Sequence, residues 1–131
     1  MRTLTQTLAA AALLALVGVA PVSAQDVAVD IAVAKNVIDR MPVDESDSFP
    51  VDVGEVWCWT RVSGAEGITI KHVWLRDGVE MAEVPLEIGG NSWRTYSSKT
   101  IPPYWSGDWR VEVRDEIGNV LASQDFTVGG P

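Results

Sequence analysis

The chain has 131 residues, enough for one domain with one hydrophobic core, and carries 10 basic against 18 acidic residues. Such an acidic chain would repel the phosphates of nucleic acids and anionic lipid surfaces, which argues against both as partners. The single cysteine, Cys58, excludes an intramolecular disulfide, and one histidine with one cysteine excludes a standard zinc site.

Residues 1–24 have the pattern of a secretory signal peptide. Arg2 supplies the positive charge, residues 8–20 form an apolar run, and Val22-Ser23-Ala24 is a small-residue cleavage site. The run is shorter than the roughly 20 residues that a spanning helix needs, so an uncleaved membrane anchor is the weaker alternative. We expect export to the periplasm or the medium, with residues 25–131 as a single domain without a transmembrane segment.

The mature chain alternates between apolar and polar residues with a period near two, which is typical of strands. A first strand is predicted around residues 27–33, whereas Met41 to Asp52 contains two prolines and an acidic run and reads as an irregular loop. Asp77-Gly78 is a strong signal for a two-residue hairpin. The remaining strands are predicted at residues 53–62, 68–76, 79–88, 92–98, 108–115 and 120–128.

About seven strands in about 100 residues, without a convincing helix, predict an all-β fold. The expected architecture is an antiparallel β-sandwich, and an immunoglobulin-like topology is one arrangement that the strand count allows. Pro102-Pro103 ends the fifth predicted strand, residues 92–98, because proline cannot donate a hydrogen bond within a central strand.

Several sequence segments, taken together, resemble a family of bacterial domains of unknown function. The segments are CWTRVSGAEG, HVWLRDG, WRTYSSKTIPP, GDWRVEV, GNVL and a final F-x-V, preceded by AKNVIDRMPV. The resemblance covers about residues 29–128. Members often follow a signal peptide or a membrane segment, so the resemblance implies a β-rich exported domain, and it implies no activity, ligand or catalytic residue.

The six tryptophans lie between positions 57 and 109. Trp57 and Trp59 share one face of a strand whose other face is Val56, Cys58, Thr60 and Val62. If the aliphatic face is inside, the two indoles form an outward platform beside Arg61 that can stack on sugar rings or receive a partner. If the indoles are inside, another segment must cover the aliphatic face. We favour core packing of the indoles, because large aromatic residues dominate small cores.

His72 is the only histidine and the best candidate for a general base. It can be combined with Ser97 or Ser98 in a hydrolase, and Ser97 with Lys99 in a dyad, but no nucleophile-elbow pattern accompanies them. The simpler interpretation is a histidine that hydrogen-bonds within the sandwich and serines that satisfy the end of a strand.

Three other features have structural explanations. Arg76 and Arg94 lie near Trp74 and Trp93 and are expected to form ion pairs in so acidic a chain. Cys58 sits in an apolar run and is expected to be a buried inert thiol rather than an intermolecular bridge. The acidic run after Pro42 lacks the glycine-punctuated spacing of calcium loops, so we expect no metal and no cofactor.

The leading hypothesis is a non-catalytic binding or scaffolding domain of the cell envelope with a protein or glycan partner. The alternative is an envelope or cell-wall hydrolase that uses His72 with Ser97 or Ser98. A third possibility is a structural subunit that completes a sheet in a larger assembly. The candidate residues for ligand or partner binding are Trp57, Trp59, Arg61, His72, Trp74 and Arg94.

Overall fold

The computed structural model describes residues 26–130, which form two β-sheets around a shared core. The predicted signal peptide lies outside the described residues. Nine strands follow one another along this part of the chain. They are β1 (Ala28–Ile38), β2 (Met41–Glu45), β3 (Ser48–Phe49), β4 (Gly54–Ser63), β5 (Thr69–Arg76), β6 (Val79–Glu87), β7 (Ser92–Ile101), β8 (Gly107–Arg114) and β9 (Val120–Val128).

The strand order is that of an immunoglobulin-type sandwich. Sheet I has the order β2-β1-β4-β7, and sheet II has the order β3-β9-β8-β5-β6. Neighbouring strands are antiparallel except for β3 and β9, which are parallel. The seven long strands correspond to the immunoglobulin pattern with the fourth, β6, placed beside β5 rather than beside β7. The predicted all-β sandwich is therefore confirmed.

Turn chemistry determines where the chain reverses. Asp77 and Gly78 have φ angles of 50° and 80°, and Arg76 pairs directly with Val79. This is the two-residue turn with both central residues at positive φ that Asp-Gly favours. β7 ends at Ile101, immediately before the two prolines, and a short 3-10 turn, Pro103–Trp105, leads toward β8.

The segment predicted to be an irregular loop, residues 41–52, contains two strands. β1 continues to Ile38, and a tight turn at Asp39-Arg40 returns the chain as β2. Both turn residues have positive φ, at 53° and 62°, without a glycine between them. The sequence pattern does not predict these two strands, because proline and acidic residues are depleted in strands in general. Short edge strands such as β2 nevertheless tolerate them.

The core lies between the sheets and is built by the inward rows of both. On sheet I, Val56 and Cys58 of β4 are fully buried, and across from them Trp74, Trp109 and Phe126 fill the space from sheet II. A second cluster, with Val62, Ile70, Ile88 and Val113 among its members, closes the other end. Because side chains alternate along a strand, the burial of Val56, Cys58, Thr60 and Val62 turns the other row of β4 outward.

Candidate functional site

The outer face of sheet I carries aromatic and guanidinium side chains in rows. β4 and β7 lie side by side in the middle and at the edge of this sheet, and the register places their outward residues directly opposite each other. The outward cross-strand pairs are Trp57–Ser98, Trp59–Tyr96 and Arg61–Arg94. On the other side of β4, β1 contributes Asp30, Ala32 and Ala34 to the same rows.

The β1–β2 hairpin covers part of this face. The Trp59 indole Nε1 donates a hydrogen bond to the Arg40 carbonyl oxygen at 2.9 Å. Arg40 Nη2 in turn donates to the carbonyl oxygen of Arg94 on β7 at 3.0 Å, and Arg94 Nη1 lies 3.2 Å from Met41 Sδ. The turn therefore folds back over β4 as far as the edge of β7. As a result Trp59 is only 5% exposed although it lies outside the core.

The preferred interpretation that Trp57 and Trp59 fill the core is wrong. The aliphatic row of β4 faces the core, and the two indoles are on the outer face. Both faces of β4 are covered. The hairpin turn shields Trp59 on the outer side, where the residues opposite the indoles on β1 are the small Ala32 and Ala34. Because both faces are covered, the strand is apolar on both.

Solvent reaches the aromatic surface mainly at Tyr96 and Trp57. Tyr96 is 41% exposed, and Trp57 is half-buried with its ring centroid 5.9 Å from that of Tyr96 and tilted by 54°. Ser98 lies opposite Trp57 and donates to Glu55 Oε2 at 3.1 Å. The exposed part of the face is thus a pair of aromatic rings bordered by the Ser98 hydroxyl and the Glu55 carboxylate.

Arginines stack on two indoles of sheet I, Trp59 on the outer face and Trp93 in the inward row at the end of β7. The guanidinium carbon of Arg61 lies 5.8 Å from the ring centroid of Trp59, and that of Arg40 lies 5.2 Å from the ring centroid of Trp93. Arg61 also approaches Asp30 at 3.4 Å, with both side chains largely exposed. Stacking of this kind holds a planar cation in one orientation while leaving its edge free for a partner.

The ion pairs predicted for Arg76 and Arg94 are absent from the described residues. No carboxylate oxygen lies within 4.0 Å of either guanidinium group. Arg76 Nε donates to the Ser106 carbonyl oxygen at 3.1 Å, and Arg94 contacts Met41. Glu112 of β8 and Asp125 of β9 are instead paired with Arg110 and Arg114 on sheet II.

His72 lies in the core and joins the two sheets. From β5 of sheet II its Nδ1 lies 2.6 Å from Ser97 Oγ, and its Nε2 lies 3.3 Å from Thr60 Oγ1, both on sheet I. The Thr60 hydroxyl donates to the Thr95 carbonyl oxygen at 3.3 Å, so its oxygen can accept from Nε2–H while Nδ1 accepts from the Ser97 hydroxyl. Burial lowers the pKa of His72 from 6.5 to about 4, so the ring is neutral at physiological pH.

This geometry does not favour the hydrolase alternative. His72 is 0% exposed and Ser97 is 8% exposed, so a substrate has no access to the pair. Thr60, rather than a carboxylate, occupies the position of the group that would orient the imidazole. Ser98 points to the opposite face, and Lys99 Nζ lies 4.8 Å from the ring centroid of Trp105, so neither joins His72.

The predicted site residues therefore separate into two groups. Trp57, Trp59, Arg61 and Arg94 come together on the outer face of sheet I. His72 and Trp74 are 0% exposed on the inner face of β5, so the binding role suggested for these two does not fit the structure. Trp74 packs edge-on against Phe126, with ring centroids 6.2 Å apart.

Two residues of the face, Arg40 and Tyr96, were not among the predicted candidates. Tyr96 is in phase with Arg94 along β7, and this alternation was a signal for its outward position. Arg40 had no comparable signal, because its place depends on how far the β1–β2 hairpin bends over the sheet.

Cys58 is a buried free thiol, as predicted. It is 0% exposed, and burial raises the pKa of the thiol far above its usual value. The thiol therefore stays protonated and is a packing group of the core. Within residues 26–130, no three histidine, cysteine or acidic side chains are placed to hold a metal ion together.

The fold and this face define an immunoglobulin-type β-sandwich domain with an aromatic and cationic sheet surface. Residues 68–128, from just before β5 to the end of β9, match the model of a family described as "Protein of unknown function (DUF2914)". The match supports the predicted resemblance to a domain-of-unknown-function family over that part of the chain. It includes Arg94 and Tyr96, whereas β4 lies before it.

Among solved structures, the chain is similar to the CARDB domain of a protein from Pyrococcus furiosus, determined by solution NMR. The two share 19% sequence identity, with 79% of this chain and 94% of that chain covered and a TM-score of 0.43. No curated protein matches the chain. Residues 26–130 contain no helix that is long and apolar enough to cross a membrane.

Proposed function

We propose that this protein is an exported, non-catalytic binding domain of the bacterial cell envelope. The outer face of sheet I is its binding face, and the partner is a protein or glycan of the envelope. The observation that carries the proposal is the pair of aromatic rings, the exposed Tyr96 and the half-buried Trp57, beside Arg61 and Arg94. Tryptophan, tyrosine and arginine are the residue types most enriched among the interface residues that supply most of the binding energy.

Export is the first part to test. The full chain is expressed in a bacterial host, the cells are fractionated, and the mass of the protein is measured in each fraction. We expect a product that begins at Gln25 in the periplasm or the medium, since Val22-Ser23-Ala24 has the small residues that signal peptidase cleavage requires. A full-length product retained in the cytoplasm or the membrane would overturn this part.

Binding is tested with the exported protein and isolated envelope fractions. Labelled protein is incubated with insoluble peptidoglycan, with purified envelope polysaccharide and with solubilised envelope proteins. We compare the wild type with Tyr96→Ala and with the double variant Trp57→Ala/Tyr96→Ala. Tyr104→Ala is the matched control, because Tyr104 is 75% exposed on the 3-10 turn outside the face.

We expect at least one fraction to retain the wild type and the control. Removal of the two rings should weaken retention about tenfold or more, as loss of a binding hot spot does. A urea unfolding curve for each variant shows that it is folded, and Tyr96→Ala removes an exposed ring without disturbing the core. The proposal would be contradicted if both variants were retained as strongly as the wild type, or if no fraction retained the folded wild type.

A further inference from the structure

We propose that Arg40, Arg61 and Arg94 form a binding site for the carboxylate groups of an acidic glycan. This inference rests on the proposed function, since it names the ligand class for the same face of sheet I.

The first argument is the placement of like charges. Arg61 and Arg94 are directly opposite each other on β4 and β7, and like charges in this relation repel. A third guanidinium group, that of Arg40, lies at the β7 edge of the same end of the face, where it donates to the Arg94 carbonyl oxygen. Folding therefore gathers three positive charges at this end of the face, with Asp30 as the one carboxylate paired to them.

The second argument is that two of these three charges have no carboxylate partner within the described residues. Arg61 approaches Asp30 at 3.4 Å, but neither Arg40 nor Arg94 has a carboxylate oxygen within 4.0 Å. The chain has 18 acidic residues, so a shortage of acids is not the reason. Three of the acidic residues, Asp47, Asp108 and Asp125, line a shallow groove of about 430 Å³ at sheet II, whereas Asp30 and Glu55 contact Arg61 and Ser98 on the outer face of sheet I.

The third argument is that the guanidinium groups are held in position. Arg40 stacks on Trp93 and Arg61 stacks on Trp59, at 5.2 Å and 5.8 Å from the ring centroids. Arg40 also has φ 62°, a left-handed backbone conformation that few residues other than glycine adopt. A guanidinium group that is already oriented loses little conformational entropy when it binds a carboxylate through two parallel hydrogen bonds.

The aromatic rings next to the arginines favour a sugar over an acidic protein. Tyr96 lies two residues from Arg94 along β7, about 7 Å away, so one ligand can reach both. The exposed ring of Tyr96 and the half-buried ring of Trp57 lie near the hydroxyl of Ser98, which suits a sugar ring with one apolar face and a polar rim. A protein partner needs a deeply buried anchor, and Trp59, the apolar group nearest to Arg61, is already covered by the hairpin.

The experiment measures the dissociation constants of oligogalacturonate and of its methyl-esterified, uncharged form by calorimetry at low salt. Poly-glutamate serves as the probe for an acidic protein. The exported wild type is compared with Arg94→Gln, Arg40→Gln and Tyr96→Ala. Arg110→Gln is the matched control, since Arg110 is an exposed arginine of sheet II that pairs with Glu112 and Asp125.

We expect the wild type and Arg110→Gln to bind oligogalacturonate, and Arg94→Gln or Arg40→Gln to bind it about tenfold more weakly. Esterification should weaken binding to the wild type by a similar factor, and added salt should do the same. Tyr96→Ala should also weaken it, because the sugar ring stacks there.

Two results would overturn the inference. The first is equal binding of the charged and esterified sugars, or no binding of either. The second is binding of poly-glutamate that Arg94→Gln and Arg40→Gln weaken and Tyr96→Ala leaves unchanged, which would indicate an acidic protein partner. If the protein binds no acidic sugar while an envelope fraction still retains it through Trp57 and Tyr96, the acidic-glycan inference is wrong and the proposed function is unaffected.

Discussion

His72 Nδ1 and Ser97 Oγ are 2.6 Å apart in the middle of the core and join the two sheets of the sandwich. Antibody domains place a disulfide between their sheets, and this chain, with one cysteine, has a hydrogen-bonded histidine as a polar link between sheets. The link runs on to Thr60 through Nε2, so both ring nitrogens have partners. A buried polar group with all its hydrogen bonds made costs little, whereas one that loses a partner is expensive.

Replacing Ser97 with alanine should therefore destabilise the fold. The His72 Nδ1 would be left buried without a partner, at a cost of about 1–3 kcal/mol in the free energy of unfolding. Urea unfolding followed by tryptophan fluorescence measures this cost. Ser98→Ala is the matched control, because Ser98 faces outward and donates only to a surface carboxylate, that of Glu55. Its expected effect is within about 0.5 kcal/mol, and equal effects of the two substitutions would contradict a structural role for Ser97.

Stability should decrease as the pH falls from 6.5 to 4. In this range the unfolded chain takes up a proton on His72 while the folded chain does not, because burial lowers the folded pKa to about 4. The loss is on the order of 3 kcal/mol at the acidic end of the range. His72→Gln should show a flatter pH profile of unfolding free energy, since the titrating group is gone.

The titration can also be observed directly. His72 is the only histidine, so its imidazole signals in an NMR titration need no assignment among several residues. An unperturbed midpoint near 6.5 in the folded protein would be incompatible with the buried, neutral ring.

The thiol of Cys58 should be unreactive in the native protein. It is 0% exposed and its raised pKa keeps it protonated, so a thiol reagent reacts only when the chain unfolds. The rate of labelling by Ellman's reagent should rise with the urea concentration. The extent of labelling should reach one thiol per chain after full unfolding. Rapid labelling without denaturant, or a disulfide-linked dimer on a non-reducing gel, would argue for an accessible thiol instead.

Reversal of one charge on the outer face should stabilise the domain in the absence of ligand. Arg94→Glu replaces a repulsive cross-strand pair with an attractive one to Arg61, which is expected to add roughly 0.5–1 kcal/mol at low salt. The gain should shrink as salt is added, because these side chains are exposed to solvent.

Arg110→Glu is the opposing control for that change. It puts a negative charge beside Glu112 and Asp125, so it should lower the unfolding free energy under the same conditions. If Arg94→Glu destabilises as much as Arg110→Glu does, Arg94 has a structural role that the contacts of the described residues do not explain.

The seven long strands could be predicted from the sequence because their signals are local. The alternation of apolar residues and the Asp77-Gly78 turn depend on side-chain direction and backbone φ within a few residues. The sandwich followed from the number and spacing of these strands, and the burial of Cys58 from its apolar neighbours.

The outer face of sheet I could be predicted only in part. Trp57, Trp59 and Arg61 are in phase on one strand, so the sequence by itself grouped them, but both faces of that strand are apolar and local pattern cannot say which one is inside. The tertiary structure decides this, because the β1–β2 hairpin brings Arg40 over Trp59 and supplies the cover on the outer side. Likewise, the alternation of β5 and β7 did not reveal that His72 and Ser97 meet. They are 25 positions apart on different sheets, and only the packing of one sheet on the other brings their atoms within hydrogen-bonding distance.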